Sequence, residues 1–270
     1  LQAINPRWEF QDANWFADFP TSAQKLSQFY EKSGGSSVDG VIALNASFFA
    51  KILGILGPVA MPQYGVTLDE NNFIEQTTKQ VETLYDRTKN TPKQFLSDSI
   101  PLILSRLETV TEVQSIDLLK LFISGVLGKD FQLYLAKESE QSNLSALGLS
   151  GELKATDGDF LSIVDSNIGG NKSDGAVEMR VSQTVSFANR AQGEVVVRIE
   201  RIHSGTASQE FRSGRNRSYV RFYVPRGSTL LQTKGFLPLN EVTQTALPTG
   251  TTVDPEILKS VIYVIRDFMG

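Results

Sequence analysis

Cysteine is absent from the 270 residues and histidine occurs once, at His203. The first absence excludes a disulfide framework, a thiol nucleophile and thiolate-bound zinc or iron-sulfur sites. It suits a reducing cytosol and an exposed bacterial surface equally, so it assigns no compartment. The second leaves a Ser-His-Asp triad one residue to be built on, and His203 follows an alternating strand pattern beside a Ser-Gly turn. The G-x-S-x-G elbow, the H-E-x-x-H helix and the calcium-loop spacing are missing too. The longest apolar runs, such as 48–59, are broken by Lys51 and Gly54 and fall well short of the roughly 20 residues of a membrane span. No basic n-region or signal-type apolar stretch opens the chain, which starts at Leu1; it reads as a fragment whose membrane attachment, if any, belongs to a segment absent from it.

What is present is an ordinary globular balance: 26 Lys+Arg against 30 Asp+Glu, net charge −4, and 40% hydrophobic residues. About three quarters of the unfolded surface of such a chain can be buried, enough for one large core or two smaller ones. The net negative charge, without aromatics interleaved among the cations, argues against a nucleic-acid partner.

The chain divides near Ser150. Residues 1–150 carry 12 basic and 17 acidic side chains and show helical spacing, whereas residues 151–270 carry 14 and 13 and alternate with period two. In the first part, Thr21-Ser22-Ala23-Gln24 reads as a capping box ahead of Leu26, Phe29 and Tyr30, with Gly34-Gly35 ending the helix. The run 39–44 reads as a short buried strand; Asn45 then caps a helix through Phe48, Ile52 and Leu56 that stops at Gly57-Pro58. Thr67-Leu68-Asp69-Glu70 reads as a second capping box. Thr91-Pro92-Lys93-Gln94 is a third start, of a helix that Pro101 should kink, and Ser115 opens another. In the second part, 160–167, 177–187, 194–203, 218–225 and 261–266 read as half-buried strands, although Asp254-Pro255-Glu256 is also a legitimate helix start. The expected class is α+β: a helix-rich α/β domain over 1–150, then an antiparallel β-sandwich-like domain over 151–270.

Five clusters carry candidate chemistry. Asp12, Asn14 and Asp18, and Asp157, Asp159 and Asp165, offer oxygen ligands for a hard cation or ordinary surface turns. The stretch 168–175, with Gly169-Gly170, offers backbone donors to an anion or is a hairpin loop. Arg212, Arg215, Arg217, Arg221 and Arg226 form the densest basic cluster, on a loop and strand face. Arg87, Lys89 and Lys93 stand on the linker and first turn ahead of a helix, where side-chain cations add to free backbone donors; such a site suits phosphate or pyrophosphate, and a solvated linker is the alternative.

Several segments in order resemble the bacterial domain of unknown function 4012 family: Asp12-Ala13-Asn14-Trp15 with Asp18-Phe19-Pro20, Val38-Asp39-Gly40-Val41-Ile42-Ala43-Leu44, Gly57-Pro58-Val59, the stretch 167–174, and Tyr223-Val224-Pro225-Arg226-Gly227-Ser228. The resemblance spans about residues 10–235. It implies an extracytoplasmic protein of the bacterial cell envelope with no settled activity. Residues 35–135 also resemble the LytR-CpsA-Psr phosphotransferase core, through Val38–Leu44, the helix after it, Gly57-Pro58-Val59, and Asp86-Arg87-Thr88-Lys89 followed by Lys93-Gln94. That likeness implies a polyprenyl-phosphate-linked glycan or cell-wall polymer as partner. Arg87, Lys89 and Lys93 would contact pyrophosphate, and Gln94 would orient the segment. Lysines stand where that family carries bidentate arginines. Its acidic magnesium ligands lie on N-terminal strands without a counterpart here, so magnesium is expected only in a longer protein. The two functions expected are binding, and in full length transfer, of a phosphorylated glycan, or a non-catalytic surface scaffold for adhesion or assembly.

Overall fold

A computed structural model describes residues 8–89, 91–154, 158–168, 172–189, 192–206, 211–214, 216–225, 228–236 and 261–268. The fold is α+β and divides into two compact units, one of residues 9–154 and the other of residues 1–8 with 155–270.

The first unit begins with α1 (Phe19–Lys32). Its cap is Asp18 rather than the expected Thr21: the Asp18 carboxylate accepts from the Thr21 backbone N–H at 3.2 Å and from the Thr21 hydroxyl at 2.7 Å, so Thr21 lies inside the first turn. The other Asp18 oxygen accepts from the Leu153 N–H at 2.9 Å, tying the two ends of the unit together. Strand β1 (Gly40–Leu44) pairs antiparallel with β4 (Phe131–Leu135) as a two-stranded sheet, and β2 (Val59–Met61) pairs with β3 (Val66–Leu68). Between them lie α2 (Ala46–Leu56), α3 (Phe73–Lys79), α4 (Gln94–Leu107) and α5 (Glu112–Gly128), and α6 (Glu138–Ala146) follows β4. The core joins Phe48, Leu53 and Leu56 of α2 to Met61, Leu68, Phe73, Phe95, Leu118 and Phe131. At its margin the exposed Phe122 ring meets Phe48 and Phe131 edge-on, the three centroids lying 5.4 to 5.6 Å apart.

Several local expectations change. Thr67 and Leu68 belong to β3, and Asp69 accepts from the backbone N–H groups of Asn71 and Asn72, so the supposed second capping box is a turn and α3 starts only at Phe73. The next turn, Gln80–Leu84, is a wide π-helical turn. Helix α4 continues through Pro101 as one element; Ser97 and Pro101 are both exposed, so water can reach the carbonyl that the missing donor leaves over. Helix α5 starts one turn before Ser115, at a capping box in which Thr111 and Gln114 satisfy each other's backbone donors. Strand β1 is where expected but not buried: Ile42 is 67% and Leu44 42% exposed.

The second unit is antiparallel. Strands β5 (Ser162–Asn167), β8 (Asn216–Tyr223) and β9 (Val261–Phe268) form one sheet in the order β5-β8-β9, and β6 (Val177–Asn189) and β7 (Gln192–His203) form a long hairpin. Residues 261–268 are thus strand; the alternative helix start at Asp254-Pro255-Glu256 lies outside the described residues. Directly paired residues share a face. The hairpin therefore carries Val181 with Ile199, Gln183 with Val197 and Val185 with Val195 on one side, and Arg180 with Glu200 and Ser182 with Arg198 on the other.

Candidate functional site

The cationic segment lies where α3 and the wide turn after it end and α4 begins. Asp86 organises the turn: one carboxylate oxygen accepts from the Thr88 N–H at 2.9 Å, the Thr88 hydroxyl at 2.5 Å and the Lys89 N–H at 3.4 Å. The Thr88 bonds are the largest cause holding the Asp86 carboxyl below its ordinary range. Lys89 places its ammonium 3.7 Å from the same carboxylate, and the Arg87 guanidinium lies 5.9 Å from the Tyr85 ring centre. Lys93 occupies the cap position of α4, and Gln94 donates to Asp98 at 2.7 Å. Asp98 also accepts from the Tyr64 hydroxyl at 2.6 Å. Tyr64 is pushed up to about 12, first by burial and then by that carboxylate, and the phenol's hydrogen bond is the largest cause drawing Asp98 down. Among the described residues, no hydrogen bond or ion pair joins Arg87, Lys89, Lys93 or Gln94 to one another. Arg87, Lys89 and Lys93 are exposed.

The other candidates resolve into structural roles. Asp12 accepts from the Glu9 N–H and Asp18 caps α1, so these carboxylates hold backbone. Asp157, Gly169, Gly170, Asn171, Arg215 and Arg226 lie outside the described residues. The flanks of the Gly-Gly stretch enter a buried polar network. Arg201 of β7 bonds Asp165 of β5 and Ser218 of β8, and reaches the Asn216 side-chain oxygen at 2.8 Å. The Asn216 amide donates to Ser173 at 3.2 Å and Asp174 at 3.0 Å, and Asp174 accepts from Asn167 at 3.0 Å. Ser173, Asn216 and Ser218 are fully buried. The network fastens the hairpin root to the three-stranded sheet, and most of its polar groups are used on one another. Within the basic cluster Arg212 and Arg217 are exposed, but Arg221 is buried and donates to the Tyr223 hydroxyl at 3.2 Å, so that cluster is not one solvated face. His203 accepts from the Gly205 N–H at Nδ1, and its Nε2 lies 3.1 Å from the Gly214 carbonyl; both ring nitrogens are engaged by backbone, not by a nucleophile.

Sequence reasoning missed Arg201, Asn216, Ser218 and the pair Tyr64 and Asp98. One signal was readable: Arg201 breaks the apolar alternation of Val195, Val197 and Ile199, which marks a charge turned toward the interior. Also unforeseen is the apolar surface. On α5 the side chains of Val113, Ile116, Leu119, Ile123 and Leu127 are each more than half exposed, and on the hairpin Phe187 is 75% exposed.

No curated protein and no solved structure matches the chain. The family model described as "Protein of unknown function (DUF4012)" matches residues 1–81, a stretch that holds the first three segments of the resemblance, from Asp12 to Val59.

Proposed function

We propose that this chain is an assembly module of a bacterial cell-envelope protein, acting outside the cytoplasm as a non-catalytic scaffold. The observation that carries this reading is the outer face of α5. At 3.6 residues per turn, Ile116, Leu119, Ile123 and Leu127 fall in one stripe about 80° wide, opposite the buried Leu118 and Gly125. Asp117, Lys120 and Ser124 keep a polar strip along one flank of the stripe, and a contiguous exposed apolar patch marks an interaction surface. Full burial of such a side chain contributes about 1.5–3 kcal/mol, so covering this stripe is worth several kcal/mol before the cost of association. The test is sedimentation velocity of the whole chain over a range of concentrations. Reversible association that Leu119→Glu with Ile123→Glu abolishes, at unchanged circular dichroism and unfolding midpoint, is the expected result. A wild-type chain that stays monomeric up to millimolar concentration overturns it.

A second reading keeps a phosphorylated, lipid-linked glycan as ligand, on the LytR-CpsA-Psr likeness, with magnesium entering where a longer protein transfers it. In its favour, Arg87, Lys89 and Lys93 all lie exposed just ahead of the free donors of α4. A polyprenyl pyrophosphate analogue with magnesium would then raise the unfolding midpoint, by about 2.7 kcal/mol at a hundredfold excess over its dissociation constant. Arg87→Ala or Lys93→Glu would remove the rise. No rise in a folded chain removes this reading.

A further inference from the structure

Strand β1 reads Gly-Val-Ile-Ala-Leu, apolar on both faces, which is the pattern of a strand covered above and below. Among the described residues it has one strand neighbour, β4. The geometry gives the other side a definite chemistry. The Leu133 N–H donates to the Leu149 carbonyl and the Leu135 N–H to the Gln141 side chain, so both point away from β1. Their register partners, Ile42 and Gly40, accordingly turn their own N–H and C=O groups away from β4, as does Leu44 two residues on. None of the backbone hydrogen bonds outside the ladder engages Gly40, Ile42 or Leu44. Native edge strands are ordinarily blunted by a charge, a proline or a bulge; β1 has none of these, and its register with β4 is unbroken. On the face of this two-stranded sheet, spanning β1 and β4 as far as Leu144 of α6, lies an apolar cavity of about 300 Å³ lined by Gly40, Ile42, Leu133, Leu135 and Leu144.

We infer that the open edge of β1 accepts an extended strand from a partner polypeptide, its backbone bonding Gly40, Ile42 and Leu44 and its alternate, branched apolar side chains covering Ile42. The inference rests on the assembly reading and gives it a second surface, separate from α5. The area argues for a peptide rather than a second copy. Five residues at about 3.3 Å each, on a layer about 10 Å deep, cover under about 200 Å², whereas a stable pair of proteins needs about 800 Å² on each partner. Strand addition instead draws on main-chain hydrogen bonds for affinity and on pockets for alternate side chains for specificity.

The probe is a soluble peptide of alternating threonine and valine ended by two lysines, added to the whole chain and followed by amide hydrogen exchange. At millimolar peptide, exchange at Gly40, Ile42 and Leu44 slows at least tenfold, while Val41 and Ala43, which already face β4, do not change. Ile42→Pro removes an outward donor without touching the β4 ladder, a position where an edge strand tolerates proline, and abolishes the protection at Gly40 and Leu44. Should that variant not fold, Ile42→Lys puts a charge on the covered face and does the same. No slowing in the wild-type chain, or equal slowing in the variants, overturns the inference. So does protection that grows with protein concentration without peptide, since the occupant is then a second copy. The Leu119→Glu with Ile123→Glu variant leaves the peptide effect intact. Association through α5 without peptide protection therefore sinks this inference alone, and protection without association sinks the α5 reading alone.

Discussion

Two glycines near the ends of two helices should respond to the same substitution with opposite signs. Gly54 lies in the last turns of α2 and Gly125 in those of α5. A β-carbon at Gly125 would stand 2.3 Å from Cε2 of Phe48 and 3.1 Å from Cδ1 of Phe131. Phe48 is fully buried, packed against Phe131 in the core and met edge-on by Phe122, so its ring has little room to move. A β-carbon at Gly54 would also come within 2.3 Å of an atom, but that atom is a carboxylate oxygen of exposed Glu70, which can swing into water. Alanine is favoured over glycine in a helix by about 0.8–1.0 kcal/mol, and this gain applies at both sites. Overpacking a close-packed core costs about 1–3 kcal/mol, and this applies only at Gly125. Gly54→Ala should therefore stabilise by about 1 kcal/mol, and Gly125→Ala should lie about 1–3 kcal/mol below it, a midpoint gap of very roughly 2–12 °C. Urea titration of the two variants beside the wild type measures the difference directly. Phe48→Leu should cost less in the Gly125→Ala background than alone, because it makes room for the added methyl. Gly125→Ala matching Gly54→Ala in stability would refute the tight crossing of α5 on the Phe48 ring.

Absorbance titration at alkaline pH should show one tyrosine ionising late, at about 12, and Tyr64→Phe should remove that step. Because the folded value is raised, the stability tied to this phenol is complete below pH 10 and disappears as pH rises toward about 12. Asp98 runs the other way: its carboxyl is held below its ordinary value, so its contribution is present near neutrality and fades as pH falls through the folded value. The same Tyr64→Phe variant should raise the acid midpoint of Asp98 followed by carbon-detected NMR. Asp18→Ala removes the cap of α1 and the acceptor of the Leu153 N–H, and should lower unfolding free energy by about 1–2 kcal/mol, with Asp18→Asn recovering much of it. Arg201→Ala strands Asp165 and Asn216 and should cost about 3 kcal/mol, the low end for a broken buried pair because Asp165 keeps 21% exposure. The loss should appear in the strand-rich unit, read by hydrogen exchange of β7 and β8, and leave the α1 amides unchanged.

The fold was legible where one local signal had no rival. The alternating stretches became β5 to β9 within a few residues, and the α2 stop at Gly57 holds because glycine there adopts a φ of 84°. Helix starts misled where two signals competed. Thr21 and Asp18 both qualify as caps of α1, and what separates them is Leu153, 135 residues away in sequence, whose N–H donates to the Asp18 carboxylate. The short β2, β3 and β4 escaped notice because three to five residues carry too little periodicity to stand out from a helix end.

The candidate site was legible in the same partial way. The cations Arg87, Lys89 and Lys93 lie on exposed turns ahead of α4, as spacing alone predicts, but no spacing rule foretells that Asp86, Tyr85 and Asp98 engage Lys89, Arg87 and Gln94. The stretch 168–175 offered an anion cradle or a hairpin loop; its described flanks answer to Arg201 and Asn216, residues from two strands that only the tertiary fold brings together. The apolar surface shows the reverse case. The pattern of 39–44 reads as a buried strand, and the structure leaves Ile42 in water, as it does Leu119 and Ile123 of α5. A sequence pattern reports the environment for which a segment is suited, including neighbours supplied from elsewhere. A strand patterned for burial on both faces but open on one edge, and a helix with a second apolar stripe left uncovered, are therefore the places at which this chain expects company.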